Sequence, residues 1–347
     1  MKHTYTDTDK TMRSQDTGKV PHPVFTIDTE IMQMMETDCI KEVAPYTFGH
    51  GKMVAFKKGL TFRGMQERCP TWDAEAAVTG VNHMMDIAER GEQILFDLPA
   101  KEAKLLYFPA DPDKRPEGKR PYVILCAGGG YTGVCSLVES IPAAAVLNGL
   151  GIDAFCLNYT SQKIGLMPRP LQDLADAVKL IEEKADRWNL IPDQYAVCGF
   201  SAGAHLAGMW AVPETGYKKY GLPKPQMVWL DYPMVSADLE EQAGKVMAKI
   251  VKVTMFGFFA GRKKQEKWAL DRQITDDYPP VYLVMAKDDD TIPQRLYQDL
   301  ITALETHGVE RKIRYVESGS HGFGIGRGTP AEGWVEEAAG LWMSLNL

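Results

Sequence analysis

At 347 residues the chain exceeds one average domain, yet α/β folds of about 250 residues form single units, so one large domain with an extension is expected rather than two equal halves. A composition of 45% hydrophobic and 24% charged residues is that of a soluble globular protein, and the net charge of −7 gives no electrostatic reason for nucleic acid or an anionic membrane as partner. No stretch reaches about 18 consecutive apolar residues and the start of the chain has no apolar core of a signal peptide, so a cytoplasmic protein with no membrane contact is expected.

Residues 1–20 are rich in Thr, Asp and Lys without periodicity and read as a disordered or loosely attached tail. From 21 to 102 the pattern is mixed. Its clearest element follows Thr71, a candidate helix cap: Ala77, Val78, Val81, Met84, Met85 and Ala88 recur every three or four residues, and Gly91 can end the helix. Such a helix needs a surface, so 21–102 is expected to be a partly helical N-terminal extension packed on the main domain. There it would shape the site or a dimer contact, the latter giving a homo-oligomer.

From 103 to 347 short apolar runs alternate with amphipathic stretches. The expected strands are Lys104–Phe108, Tyr122–Cys126, Ile152–Asn158, Tyr195–Cys198, Met227–Leu230, Val281–Met285 and Ile313–Val316, most of them apolar throughout as in a sheet covered on both faces. Helices are expected over Pro170–Trp188, where Leu171, Leu174, Val178, Ile181, Ala185 and Trp188 form one stripe, and near Pro293–Thr306 and Ala331–Leu345. This alternation specifies an α/β fold with a doubly wound, mostly parallel sheet. Cys126, Cys156 and Cys198 fall in strands as small buried hydrophobes, and without a C-x-x-C no metal site is suggested. The interval 232–278 breaks the alternation with a charged helical piece, Leu239–Lys252, and an aromatic run through Phe256, Phe258 and Phe259; it reads as a small lid over the site. The aromatic run is either core or a substrate-facing wall, and Phe256, Phe258 and Phe259 are kept with Tyr131 as candidate substrate contacts.

Gly199-Phe200-Ser201-Ala202-Gly203 lies between an apolar strand and a helix-like stretch, the setting in which G-x-S-x-G forms an elbow that lifts a serine above the sheet edge. Ser201 is expected in a strained conformation, with Gly199 and Gly203 leaving room for neighbouring chain. A serine nucleophile needs an orienting acid, a base and oxyanion donors from other strand ends, in the chain order Ser, Asp, His. Asp288, Asp289 and Asp290 follow the strand Val281–Met285, and His321 follows Ile313–Val316 in a glycine-rich loop. Ala127-Gly128-Gly129-Gly130-Tyr131 follows Tyr122–Cys126, with N–H groups that can face a tetrahedral intermediate beside that of Ala202. His205, one turn beyond Ser201 on the same helix, points into the packing below the elbow and is read as structural.

These passages, with Leu157-Asn158-Tyr159, Arg169–Leu174, Gly199–Ala207, Pro279-Pro280-Val281, Asp289–Pro293 and His321–Gly324, resemble the α/β-hydrolase superfamily. Within it they are similar to the bacterial esterase/lipase-like carbohydrate esterases, called acetylxylan-esterase-like or carboxylesterases. The resemblance implies the α/β-hydrolase fold over 103–347. It also implies Gly129 and Gly130 as oxyanion donors with Ala202, and Asp289 as the acid, by its place four residues before Pro293. Ala127 stands where such families carry histidine or proline ahead of the glycines, a departure that touches loop shape rather than chemistry. The implied activity is a cofactor-free serine esterase acting through an acyl-enzyme on a small-molecule ester, most simply an acetyl ester of a sugar or xylo-oligosaccharide. The alternatives are a small aliphatic or aryl carboxylesterase, a serine peptidase, or a non-catalytic binding module on the same fold.

Overall fold

The computed structural model describes residues 23–47 and 59–345; the expected tail over 1–20 lies outside them. In chain order the elements are α1 (Ile31–Glu36), α2 (Phe62–Arg68), α3 (Ala74–Glu89), β1 (Leu95–Asp97), β2 (Lys104–Phe108), β3 (Arg120–Cys126), α4 (Ser140–Gly149), β4 (Asp153–Asn158), α5 (Arg169–Trp188), β5 (Leu190–Phe200), α6 (Ala202–Ala211), β6 (Met227–Asp231), α7 (Glu240–Phe256), α8 (Arg262–Glu266), β7 (Val281–Ala286), α9 (Gln294–Thr306), β8 (Arg311–Val316) and α10 (Trp334–Ser344).

The strands form one eight-stranded sheet in the order β1-β2-β4-β3-β5-β6-β7-β8. β2 runs antiparallel to both β1 and β4, and every pairing from β4 through β8 is parallel, as the alternating pattern implies. Strands β2, β4, β6 and β7 are buried at every residue, because helices cover both faces and leave no solvent-facing side; the polar residues they carry, Lys104, Asp153, Asn158 and Asp231, stand at their ends. On one face α5, α6 and α9 enclose a core that includes Leu171, Val178, Trp210 and Leu300. On the other, α1 to α4 and α10 enclose a second core with Phe62, Val81, Ile141 and Trp334. The helices of the first hundred residues thus share the core of the sheet. Gly80 of α3 allows that contact to be close, since a Cβ there would lie 2.7 Å from Ile141 Cγ2 of α4.

Several boundaries differ from the sequence expectations for local reasons. Asp73, not Thr71, caps α3: its Oδ1 accepts from the N–H groups of Glu75 and Ala76. α10 begins at Trp334 rather than near Ala331, because Gly333 immediately before it is left-handed at φ 82°. β1, α1 and α2 are too short to show a period. α4 buries residues all round its axis, so its sequence carries no amphipathic stripe.

Candidate active site

β5 rises into the elbow and α6 leaves it. Ser201 sits between them at φ 51°, ψ −115°, a conformation that a non-glycine residue holds only when its surroundings enforce it. The enforcement is steric and hydrogen-bonded. A Cβ on Gly199 would stand 2.2 Å from Gly203 O, and one on Gly203 would stand 1.9 Å from Cys126 O, so a side chain at either would drive β5, α6 and β3 apart. The Ser201 N–H donates to Asp231 O of the neighbouring strand at 2.9 Å, and Ser201 O accepts from the N–H groups of His205 and Met234.

From β8, the loop 317–324 brings His321 over the same sheet edge. Ser201 Oγ–H donates to His321 Nε2 at 2.8 Å, and His321 Nδ1–H donates to Asp289 Oδ2 at 2.9 Å. The three aspartates after β7 divide the work. Asp288 Oδ1 accepts the Ser320 N–H at 2.8 Å and so ties down the histidine loop. Asp290 faces the cleft. Asp289 is buried; its Oδ1 accepts the N–H groups of Thr291 and Ile292 at 2.8 and 2.7 Å, and Tyr297 Oη–H donates to its Oδ2 at 2.6 Å. Burial opposes its charge, but the hydrogen bond and charge of His321, with the Ile292 and Tyr297 donors, outweigh this and hold the carboxyl below its ordinary value.

Gly128, Gly129 and Gly130 fold into a turn opposite the serine. At Gly128 a Cβ would strike Ser201 Cβ at 2.8 Å, so the loop can approach Ser201 this closely only as glycine. Gly129 at φ 123° and Gly130 at φ 59° turn the chain so that Gly129 O accepts from both Thr132 N–H and Thr132 Oγ–H. Among the described residues the N–H groups of Gly129, Gly130 and Ala202 meet no acceptor, which leaves three donors around Ser201. The cleft holds about 410 Å³ and is lined by Ser201, His321, Gly129, Gly130 and the inner face of α7, through Ala243, Met247 and Val251.

The candidate substrate contacts lie elsewhere. Tyr131 is fully buried, with Oη–H donating to His205 Nδ1 at 2.7 Å while His205 Nε2–H donates to Trp268 O at 2.7 Å. Burial holds His205 down to about 4, against the Trp268 bond, so the ring is neutral and structural as expected from its position. Phe256 is buried at the end of α7. Left-handed Gly257 (φ 86°) stops the helix there and sends Phe258 and Phe259 into solvent, at 66% and 100% exposure. None of the four lines the cleft, because α7 presents its earlier turns to it, broken at non-helical Gly244.

One residue at the site escapes the sequence reading. Glu139, buried just before α4, accepts from Gly128 N–H through Oε2 and from Tyr232 Oη–H through Oε1 at 3.0 Å. Tyr232 Oη in turn accepts the Gly324 N–H at 3.1 Å, and its ring meets His321 edge-on at 4.9 Å. Glu139 therefore joins the glycine turn to the histidine loop. Burial pushes its carboxyl up to about 7, against the Gly128 and Tyr232 donors and the nearby His321. The available signal was a lone acid inside the apolar run from Val134 to Leu150. At the end of β6, Asp231 is also buried; burial and the carboxylates of Glu139 and Asp289 push it well above the usual range, and neither of its oxygens meets a hydrogen-bond partner among the described residues. No group of three or more metal-ligating side chains occurs among those residues, and no helix there is long and apolar enough to cross a membrane.

Comparison with known proteins agrees with this architecture. Endo-1,4-beta-xylanase B of Butyrivibrio fibrisolvens is 27% identical over 229 residues, 62% of this chain and 34% of that protein. An acetylxylan esterase of Xylanibacter ruminicola is 26% identical over 235 residues, 66% of this chain and 46% of that one. The chain thus spans less than half the length of either relative. Among solved structures, an acetyl ester-xyloside bifunctional hydrolase from Caldicellulosiruptor lactoaceticus superposes with a TM-score of 0.60 at 25% identity, covering 70% of this chain and 88% of that one. The fold is that of the α/β hydrolases. The BD-FAE family model matches residues 106–304, more than half of the chain, and the protein belongs to the BD-FAE family.

Proposed function

We propose that the protein is a serine esterase that removes short acyl groups, acetyl above all, from sugars or xylo-oligosaccharides. The observation that carries this reading is the unbroken hydrogen-bonded line from Ser201 Oγ through His321 to Asp289, in a cleft lined by Gly129 and Gly130, whose N–H groups, like that of Ala202 next to the serine, meet no acceptor among the described residues. In this account Ser201 Oγ attacks the ester carbonyl as His321 Nε2 takes its proton. The carbonyl oxygen becomes an oxyanion held by the N–H groups of Gly129, Gly130 and Ala202, which need no reorganisation because they are already unpaired. Asp289 keeps the imidazole in the tautomer that accepts from serine and stabilises the imidazolium. His321 then returns the proton to the departing alkoxide. Water, deprotonated by the same nitrogen, attacks the acyl-enzyme and releases the carboxylic acid with Ser201 restored.

The choice of acyl group and alcohol draws on size and on relatives. A cleft of about 410 Å³ is at the small end for ligand sites, which suits a short acyl chain. The relatives include an acetylxylan esterase and an acetyl ester-xyloside hydrolase. The apolar wall of Met234, Leu239, Ala243, Met247 and Val251 favours a second reading, a carboxylesterase for small aliphatic or aryl esters. We take 103–347 as the hydrolase domain, 21–102 as an extension docked on it and 232–278 as the lid. A cytoplasmic location is supported by six cysteines, none in a disulfide.

A panel of esters from acetyl to octanoyl, run beside acetylated xylo-oligosaccharides, tests the reading. Turnover highest on acetyl esters, with acetate released from the oligosaccharide, supports it. Turnover confined to aliphatic or aryl esters selects the second reading, and no turnover of any ester contradicts both.

A further inference from the structure

Trp72 belongs to the first hundred residues, outside the 106–304 segment that the family model matches, yet it lines the cleft with Ser201 and His321. It is half-buried: it packs against the core that α2, α3 and α10 share, while also bordering the cavity. Its indole edge reaches the catalytic loop, with Nε1 only 3.8 Å from the point where a Cβ on Gly322 would stand. Gly322 is left-handed at φ 84°, so the residue after His321 offers bare backbone to the indole.

The position is built. The Trp72 N–H donates to Cys69 O at 2.9 Å, closing the turn after α2. The next residue, Asp73, caps α3 and takes Arg327 in a two-pronged ion pair, Nε to Oδ2 and Nη2 to Oδ1, both at 2.6 Å. Arg327 follows the loop that carries His321. The pair therefore clamps the Trp72 turn to the histidine loop, with planar geometry that an exposed single-pronged pair lacks.

Direction in the cleft assigns the role. His321 Nε2 hands its proton to the departing alkoxide, so a side chain beside His321 and Gly322 faces the alcohol part of an ester. The acyl part points toward Gly130 and α7, where Val251 Cγ2 lies 3.5 Å from the Cβ position of Gly130. An indole presents an apolar face and an N–H at its edge. A pyranose ring is the matching alcohol, since its C–H groups pack on an aromatic plane and its hydroxyls accept from the N–H. We propose that Trp72 is the alcohol-side specificity residue, a platform for the sugar ring of the ester, and that the N-terminal extension is in this sense part of the active site. This rests on the esterase reading for its direction in the cleft.

The test separates the two. In a Ser201→Ala background, an acetylated xylo-oligosaccharide is titrated by calorimetry into the protein with Trp72 intact, Trp72→Ala or Trp72→Phe. The proposal expects Ala to weaken binding at least tenfold and Phe to restore most of it. With Ser201 intact, Trp72→Ala should lower the ratio of kcat/KM for the oligosaccharide to that for 4-nitrophenyl acetate about tenfold, through KM. Arg327→Gln, which frees the clamp but leaves the α3 cap, should shift the ratio the same way by less. Unchanged affinity, no sugar binding by Ser201→Ala itself, or an equal loss on both esters with a lower melting temperature overturns the proposal. Failure of the esterase reading shows independently, as a wild-type chain that binds the oligosaccharide through Trp72 but releases no acetate.

Discussion

Asp288 and Asp289 are neighbours in sequence and hold neighbouring residues of one loop: Asp288 accepts the Ser320 N–H at 2.8 Å, and Asp289 accepts His321 Nδ1–H at 2.9 Å. One carboxylate pins the backbone just ahead of the histidine and the other sets the imidazole tautomer. Asp289→Asn should cut ester turnover by several orders of magnitude with little change in melting temperature, because an amide favours the wrong tautomer and cannot stabilise imidazolium. Asp288→Asn keeps an acceptor oxygen for Ser320 and should cost less than tenfold. Steady-state kinetics of the two variants check this, and a larger loss at Asp288 would move the acid's role.

Glu139 predicts a pH-dependent stability difference. Its carboxyl is raised to about 7 in the fold from an ordinary value of 4.5, so the folded state holds the proton more tightly than the unfolded chain. The contribution of that protonated group is fully present below about pH 4.5 and is lost as pH rises through 7, on the order of 3 kcal/mol at about 1.4 kcal/mol per unit. Glu139→Gln cannot titrate. Any stability gap in favour of wild type should therefore shrink, and can reverse, between pH 4.5 and 8 when melting temperatures are compared. A gap independent of pH would show that the carboxyl does not titrate in that window.

In the esterase reading proposed above, the acyl side of the cleft is the wall formed by α7. Val251→Ala and Met247→Ala should shift preference toward longer acyl chains by up to about 0.8 kcal/mol for each methylene accommodated. Phe259→Ala should leave the preference alone, since that ring is fully exposed. A chain-length profile moved by Phe259 but not by Val251 would return the aromatic run to the site.

Phe256 is instead a core residue, 3% exposed. Phe256→Ala should cost about 3–5 kcal/mol of unfolding free energy, read from urea or thermal melts. A cost below about 1 kcal/mol would contradict that placement.

What was legible in the sequence follows from what each signal measures. Short apolar runs located β2 to β8, though β5 starts five residues before the expected Tyr195, and the stripe from Leu171 to Trp188 located α5, because burial on both faces of a strand leaves an unbroken apolar run and burial along one helix face leaves a period. α4 left none, being buried all round. The order of serine, aspartate and histidine after β5, β7 and β8 was readable because each follows a parallel strand whose carboxyl end lies at one edge. The aromatic run left core and substrate wall open because composition says nothing about where α7 ends; Gly257 decides that, leaving Phe256 in the core and Phe258 and Phe259 exposed. Glu139 and Trp72 owe their places to contacts 93 residues away at Tyr232 and across the fold at Gly322, which no local pattern encodes.

The central claim is that Ser201 is the nucleophile, and labelling with a fluorophosphonate followed by peptide mass spectrometry tests it most directly. The account predicts one adduct per chain, on the peptide carrying Gly199 to Gly203, lost in Ser201→Ala together with ester turnover. An adduct on another residue, no adduct in an ester-cleaving wild-type protein, or a Ser201→Ala variant that keeps more than a few per cent of turnover would contradict it.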